Sequence, residues 1–168
     1  MTSISDIRLA AATSITLGGL ISTTGSVSLS AATTILDGDS SAGESAVDIA
    51  ASGLRLISGG TIGVGANHLE TSIITLSAVS GGALFITESD AVTVGTTSAT
   101  VQKVTPAGSL IATTDAAQSG LTVGGALVLG TAHGGGQRYQ QIQQQRHGPA
   151  GFPQPRQQRC AGQRRTFA

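Results

Sequence analysis

Carboxylate side chains are the residues of this sequence whose types and spacing come closest to forming a chemical site. Asp37, Asp39, Glu44 and Asp48 fall in one short segment, and carboxylate oxygens are the ligands that Ca²⁺ prefers. The segment lacks the D-x-D-x-D-G loop of an EF-hand and the G-G-x-G-x-D repeat of a calcium-binding β-roll. We therefore interpret the segment as a solvated turn and predict no metal site. Asp37 and Asp39 are the weak candidates for calcium ligands.

The tripeptide Gly38-Asp39-Ser40 is similar to the nucleophile segment of a serine hydrolase. Such a serine needs a general base, usually histidine, within hydrogen-bond reach. His68 is the only histidine before position 133, and it lies in an ANHLET turn without a spacing that supports this role. We expect an Asx-type turn at residues 38–40 instead.

Two further patterns between residues 59 and 90 are interpreted as structural. The glycines of GGTIGVG at 59–65 partly match a phosphate-binding loop, but the segment has no GxGxxG, no following Lys and no predicted helix. We expect tight corners of the chain at Gly59, Gly60, Gly63 and Gly65. Glu88 and Asp90, in a TESDA segment, are expected to lie in a solvated turn.

The C-terminal part of the chain offers no metal pattern. His133, His147 and Cys160 have spacings that match no zinc site, and a single cysteine excludes an intrachain disulfide. The sequence therefore predicts no catalytic residue and no cofactor, and we expect the chain not to be an enzyme.

The charges divide the chain into two unlike parts. Residues 1–136 hold all nine acidic residues and three basic ones, whereas residues 137–168 hold six arginines and no acid. The tail at 132–168 is also rich in Gln, and such a composition is typical of disorder. Scattered arginines without a folded scaffold do not predict nucleic-acid binding. An alternative hypothesis is that the tail is out-of-frame sequence, because Gln and Arg codons read one base later encode Ser and Gly.

The first 131 residues consist of short strand-like runs separated by Gly, Asp or Asn turns. Val27 and Leu29 show the period of two that is typical of a strand with one buried face. Aromatic residues make up 2% and charged residues 11%, against about 25% charged in a typical domain. We therefore expect a core of Val, Ile, Leu and Ala, in which Phe85 is the only large aromatic available. The predicted strands cover 14–23, 26–36, 46–58, 74–79, 82–87, 91–95, 98–104 and 121–130.

The runs recur at intervals that suggest a solenoid. Taking Val27, Val47, Ile74, Val92 and Leu121 as equivalent positions, the intervals are 20, 27, 18 and 29 residues. Recurrence at this length is typical of stacked units that bury one another's apolar faces. We predict an all-β right-handed parallel β-helix over 1–131, followed by a disordered tail. A β-sandwich, which also has a strand every ~8–12 residues, is the alternative.

Between residues 35 and 95 the sequence resembles the repeats of large bacterial surface proteins of the filamentous-haemagglutinin-like and autotransporter-adhesin type. The matching positions lie in a turn, a strand pair, a second turn and a final strand. They are Ile35, Asp37 and Gly38; Leu54, Leu56, Ile62 and Gly63; Asn67, Leu69, Glu70 and Thr71; and Ala91, Thr93, Val94 and Gly95. The resemblance implies a structural repeat segment that extends and displays the binding regions of a surface adhesin.

Several expectations about context accompany this interpretation. The resemblance implies a cell-surface or extracellular parent protein and partners among host or neighbouring-cell glycans or proteins, although no export signal precedes the repeats. No run reaches the ~18 apolar residues of a membrane span, and exposed strand edges predict self-association. The alternatives are a fragment of a β-helix polysaccharide lyase or hydrolase, and a truncated gene remnant without selected function.

Overall fold

The computed structural model describes residues 5–39 and 46–131, and within these ranges every regular element is a β-strand. No helix in the described ranges is long and apolar enough to cross a membrane. The strands are β1 (Ile7–Ala11), β2 (Ile15–Leu17), β3 (Ile21–Ser22), β4 (Ser26–Ala31), β5 (Ile35–Asp37), β6 (Ile49–Ser58), β7 (Leu69–Ser80), β8 (Leu84–Glu88), β9 (Thr93–Val94), β10 (Thr96–Thr97), β11 (Thr100–Val104), β12 (Leu110–Thr114), β13 (Gln118–Ser119), β14 (Leu121–Val123) and β15 (Leu127–Thr131). The prediction of an all-β chain is confirmed for the described residues.

Most of these strands form an open sheet of parallel neighbours. β1 pairs with β4, β4 with β6, β6 with β7, and β7 with both β9 and β14. The pairings place Val27 beside Leu54, Leu54 beside Leu76, and Leu76 beside Val94. We call such a series of strands, paired side by side, a row. Apolar residues therefore continue from strand to strand along the sheet.

A second set of parallel pairings follows the first at a distance of a few residues along the chain. β2 pairs with β5, single bridges link Ile35 to Ile62 and Ile62 to Leu84, and β8 pairs with β15. A third set aligns Ile21 with Ile49 and Ile49 with Thr71. Parallel pairings therefore recur in three sets along the described chain.

The core lies between these rows and is aliphatic. Of the twelve largest fully buried side chains, eleven are Leu, Ile or Val. Side chains alternate across a strand, so that Leu54 and Leu56 point into the core while Arg55 points to the opposite face. The expected core of small aliphatic residues is confirmed, but Phe85 lies half-buried outside it.

The corners between the first and second rows stack directly on one another. The amides of Gly59, Gly81 and Gly124 donate to Ala31 O, Ser58 O and Ser80 O, respectively. A Cβ at each of these glycines would overlap the carbonyl of the preceding corner, so that only glycine fits. Inside the corner, Ser58 Oγ and Ser80 Oγ each donate to backbone carbonyls. Of the glycines that the sequence marks as tight corners, Gly59, Gly60 and Gly63 occur where two backbones approach closely, whereas a Cβ at Gly65 would meet only the ring of Phe85.

Four of the five positions taken as equivalent in the sequence are not in register with one another. Val92 lies just before β9, and Leu121 is in register with Ala78 and so with Leu29 rather than Val27. Val47 lies before β6 and outside any strand, and Ile74 is 66% exposed on the face opposite the core. Their places in the row of Val27 belong to Leu54 and Leu76. The error arises because β6 and β7 are each long enough to belong to two rows, and the period of two alone does not show where one row ends.

Residues 95–120 leave the sheet between β9 and β14, and we call this segment the strap. β10 pairs antiparallel with β13, and β11 pairs antiparallel with β12. Gly108, with a φ of 79°, forms the turn of the β11–β12 hairpin. The predicted strand 98–104 exists as β11. It pairs with β12 in this hairpin and does not belong to the parallel rows.

The strap crosses the outer face of the sheet from β7 towards β1. Thr97 hydrogen-bonds with Ser77 of β7, and three residues later the amide of Thr100 donates to Asp6 Oδ2, beside β1 (2.7 Å). On the way back, Gln118 Nε2 donates to Leu56 O (3.0 Å). The strap, whose own strands are antiparallel, therefore lies across four neighbouring parallel strands, β1, β4, β6 and β7.

Candidate functional site

The acidic corner, which we define as Asp37, Asp39 and Asp48, is the densest group of possible metal ligands in the described residues. Asp37 ends β5, Asp39 follows it by two positions, and Asp48 directly precedes β6. One carboxylate oxygen of each residue lies within 4.8 Å of the others. The structure thus places the two calcium candidates of the sequence, Asp37 and Asp39, beside a third acid, Asp48.

Backbone and amide groups hold these three residues in place. The amide of Asp39 donates to Asp37 Oδ1 (3.1 Å), and Asn67 Nδ2 donates to the carbonyl of Asp39 (2.9 Å). The amide of Glu70 donates to Asp48 Oδ2 (3.0 Å), while the amide of Asp48 donates to Glu70 O. Asn67 and Glu70 come from the chain segment next to the corner, so that the corner exists only in the folded protein.

The electrostatics of the acidic corner are unfavourable for three charged carboxylates. Asp37 Oδ2 and Asp39 Oδ1 are buried and accept no hydrogen bond from any residue that the structure describes. Burial, together with the neighbouring Asp39 carboxyl, raises the pKa of Asp37 above its usual value. A proton or a divalent cation shared among these oxygens would relieve the repulsion, and Asp37, Asp39 and Asp48 are the residues that could hold it.

The expected solvated turns at Asp48 and Glu88 were wrong. Asp48 is 2% exposed and Glu88 is fully buried. Glu88 accepts hydrogen bonds from Thr71 Oγ1 (2.6 Å) and from the amide of Ile73 (3.0 Å), which explains how its carboxylate is accommodated. Asp90 is exposed as predicted. Glu44 lies outside the described residues.

A second polar group lies on the outer face of the sheet, beneath the strap. Arg8 Nε donates to Asp115 Oδ1 (2.8 Å), and Arg55, 8% exposed, donates from Nε to Ala116 O (3.1 Å) and from Nη1 to Ser28 Oγ (3.3 Å). Burial alone would raise the pKa of Asp115, but hydrogen bonds from Arg8 and Ser28 outweigh it and the pKa is lowered. We call Arg8, Ser28, Arg55 and Asp115 the strap cluster.

A shallow cleft opens where the strap meets the sheet, with a volume of about 380 Å³. Its lining is uncharged and consists mostly of hydroxyl side chains, with Ile74 as the large apolar member. The lining residues are Ser26, Ser52, Gly53, Ile74, Thr75, Thr96, Thr97 and Ser98. Neither the cleft nor the strap cluster was predicted, because both bring together residues from strands distant in the sequence.

The structure places the other candidates apart from these groups. His68 Nδ1 hydrogen-bonds with Thr87 Oγ1 (2.9 Å), and its ring stacks on Phe85 at a centroid distance of 5.8 Å. Ser40, the nucleophile candidate, lies outside the described residues. Gly63 has a φ of 63°, and a Cβ there would overlap Phe85 O, which confirms the prediction of a tight corner. The candidates His133, His147 and Cys160 and the six tail arginines also lie outside the described residues.

Comparisons of the chain with protein-family models, with curated proteins and with solved structures gave no match. The functional argument therefore depends on the geometry of the rows, the acidic corner, the strap cluster and the cleft.

Proposed function

We propose that this chain is a structural segment of a bacterial surface adhesin, built as a right-handed parallel β-helix that extends and displays binding regions without catalysis. The observation that carries this proposal is the continuation of apolar rows from one pass of the chain to the next. Ile15, Ile35, Ile62, Leu84 and Leu127 follow one another in register along the second row.

The return of the chain to the same rows supports a helical course. We call one passage through the three rows a layer. β1 and β4 are parallel neighbours, and β2 and β3 lie between them in the sequence. A connection between parallel neighbours in one sheet is almost always right-handed, which supports the handedness of the proposal.

The layered arrangement suits a spacer more than a compact binding domain. Each layer adds about 4.8 Å of length through backbone pairing, and neighbouring layers bury one another's apolar side chains. Stability then depends on nearest neighbours, so that length can grow without a larger core. The uncharged hydroxyl cleft beside the strap supports a display role, since hydroxyl groups can hydrogen-bond with a glycan or a polar peptide.

The proposed display role is tested in cells that express the parent gene. An antibody raised against the strap turn at residues 105–109 is applied to intact and to lysed cells. We expect labelling of intact cells, with an antibody against a cytosolic protein as the control for leakage. Labelling only after lysis would contradict the surface role.

A polysaccharide lyase or hydrolase would be revealed by a separate assay. The full chain is incubated with acidic polysaccharides, and new reducing ends and unsaturated products are measured. We expect neither. Product formation that is lost on Asp48→Asn would overturn the non-catalytic proposal, because Asp48 belongs to the acidic corner.

A further inference from the structure

The strap is an insertion at a single position of the parallel sheet. β9 ends at Val94, which lies beside Leu76 of β7. β14 begins at Leu121, which lies beside Ala78 of the same strand. Along β7 the two strands are thus separated by the width of one residue, Ser77, although the whole strap lies between them in the chain. The parallel pairing therefore continues past the strap and does not need it.

The two ends of the strap meet at a narrow neck formed by Gly95 and Gly120. The amide of Gly120 donates to Gly95 O (3.0 Å), and both glycines also hydrogen-bond with the backbone of β7. Gly120 has a φ of 76°, which side-chain-bearing residues rarely adopt. Hinges of moving segments are a few such positions that absorb the change in φ and ψ. A rotation at this neck would move the strap and leave the pairings of the parallel strands intact.

The strap contributes little to the apolar core. No residue between positions 95 and 120 belongs to the core cluster, and Ala99 is the one fully buried apolar side chain of the strap. The strap is held on the sheet mainly by hydrogen bonds and by the ion pair between Arg8 and Asp115. Segments with few buried apolar contacts open at a lower free energy than the core does. We therefore expect the strap to open while the parallel strands stay folded.

Beneath the strap, four neighbouring strands present a line of polar side chains. Arg8 of β1 lies beside Ser28 of β4, Ser28 beside Arg55 of β6, and Arg55 beside Ser77 of β7. We call these four residues the polar track. Neighbouring strands are about 4.8 Å apart, so that the two arginines lie on strands roughly 10 Å apart. They are two of the three basic residues before position 137, which makes the polar track the main cationic surface of this part of the chain.

Strap residues 115–118 lie across the polar track as a short peptide would. Asp115 Oδ1 accepts a hydrogen bond from Arg8 Nε (2.8 Å), and Ala116 O accepts one from Arg55 Nε (3.1 Å). Gln118 Nε2 donates to Ser77 Oγ (3.2 Å). A carboxylate, a backbone carbonyl and a side-chain amide thus meet successive groups of the track. The strap itself shows which chemistry this surface accepts.

We propose that the polar track is a docking surface for an extended acidic peptide segment of a partner protein, and that the strap is a built-in ligand that occludes it until the strap swings away at its neck. A carboxylate of the partner would take the place of Asp115 at Arg8, and a backbone carbonyl the place of Ala116 O at Arg55. A tethered segment competes at an effective concentration in the mM range, so that the closed strap excludes weak ligands. The inference goes beyond the adhesin assignment and does not depend on it.

The test uses the full chain with the strap opened by substitution. Asp115→Lys places a cation beside Arg8, and Asp115→Asn, a milder change, removes only the negative charge. Amide hydrogen exchange compares the strap with β4 and β6. The probe is a fluorescent peptide with the sequence of residues 111–120, IATTDAAQSG, and its binding is measured by anisotropy. The same peptide with Asn in place of its Asp is the control.

We expect strap amides to exchange faster in both variants, by about tenfold in Asp115→Lys, while β4 and β6 exchange as in the wild-type chain. The acidic peptide should bind Asp115→Lys about tenfold more tightly than it binds the wild-type chain, because the tethered competitor is lost. The control peptide should bind about threefold more weakly than the acidic one. Arg8→Gln added to Asp115→Lys should weaken the acidic peptide to the same extent, whereas Lys103→Gln, an equal change of charge at an exposed residue of β11, should not.

Each part of the proposal can be overturned separately. Strap amides that exchange as in the wild-type chain would show that Asp115 does not hold the strap closed. Loss of protection in β4 and β6 in both variants would show that the strap does not open by itself. An open strap without peptide binding, equal binding of the two peptides, or equal effects of Arg8→Gln and Lys103→Gln would remove the polar track as the docking surface. A two-chain wild-type species that excludes the peptide would assign the track to the strap of a second copy.

Discussion

The acidic corner and the strap cluster both place carboxylates against the parallel strands, but their surroundings differ. Asp115 in the strap cluster receives a hydrogen bond from Arg8, and Arg55 lies close enough to act on it electrostatically. In the acidic corner, the neighbour of Asp37 is another carboxyl, that of Asp39. Asp37, Asp39 and Asp115 each have one buried oxygen that accepts no hydrogen bond from the described residues, so the two regions differ in the charge of the neighbouring groups. The pKa of Asp115 is accordingly lowered, whereas burial and Asp39 raise the pKa of Asp37.

This difference distinguishes a carboxylate that lies beside arginines of the same chain from carboxyls that repel one another and would gain from an added ion or proton. The strap cluster contains its own cations, so its contribution to stability requires no added ion. The acidic corner gains stability only when its negative charge is reduced. Mutation, added cation and pH should therefore affect the two regions in opposite ways.

Loss of Arg55 is expected to have the largest effect. Arg55→Leu leaves Ala116 O and Ser28 Oγ without their donor and removes a positive charge near Asp115. Breaking a buried charged group of this kind costs about 3 kcal/mol, which we expect as a lower free energy of unfolding in urea. Lys103→Leu, at an exposed residue of β11, is the control. Equal unfolding midpoints for the two variants would contradict the assignment of a structural role to the strap cluster.

Added calcium is expected to stabilise the acidic corner and not the strap cluster. A ligand that binds only the folded state at a hundredfold excess over its Kd raises the unfolding free energy by about 2.7 kcal/mol. We expect a calcium-dependent rise in Tm for the wild-type chain and none for Asp39→Asn, measured by thermal unfolding against a chelator. A calcium response that survives in Asp39→Asn would show that the ion binds elsewhere.

Without calcium, the substitution Asp37→Asn is expected to raise the free energy of unfolding at neutral pH, because it removes a partly buried carboxylate that lies beside the carboxyl of Asp39. The pKa of Asp37 is raised in the folded state, so its favourable contribution is present below the unfolded value of 3.8 and is lost as pH rises through the folded value. The gain from Asp37→Asn should therefore disappear in acid. Asp90→Asn, at an exposed acid, should show no such gain.

The substitution Arg8→Gln is expected to have the smallest effect, about 0.5 kcal/mol, because the Arg8 side chain is 38% exposed and solvent screens the pair. The pKa of Asp115 is lowered, so its contribution is present above the unfolded value of 3.8 and is lost as pH falls through the folded value. Urea unfolding at neutral and acidic pH measures both points. A loss that grows with added salt would contradict an ion pair as the cause.

The sequence predicted the parts of the fold that depend on local pattern. The period of two at Val27 and Leu29 identified core residues that are both fully buried, and the tight corner predicted at Gly59 is one of the stacked corners. The strap was not recognised, because 98–104 was predicted as one more strand of the repeat and Leu110–Thr114, with the sequence LIATT, shows no period of two. Alternation shows that a segment is a strand, but it does not distinguish a parallel neighbour from an antiparallel hairpin.

The candidate site was predicted in part for the same reason. Asp37 and Asp39 were identified from their types, but the burial of Asp48 depends on Glu70, which is 22 residues away in the sequence. Glu88 was expected in solvent, although Thr71 and Ile73 supply its donors from β7. Burial of a polar residue depends on partners that only the folded chain brings near, and a single sequence does not show them.

The strap also constrains how this gene can evolve. Tandem repeats gain and lose units through slippage during DNA replication, and a stack of similar layers would usually tolerate such changes. Here the strap starts at Gly95, beside β7, and is attached to Asp6 and Arg8 at the other side of β4 and β6. An added or deleted parallel strand in between would move those attachment points by about 4.8 Å and detach the strap. The strap thus fixes the number of strands between its two attachment points, and we expect selection against insertions and deletions of repeats within that interval.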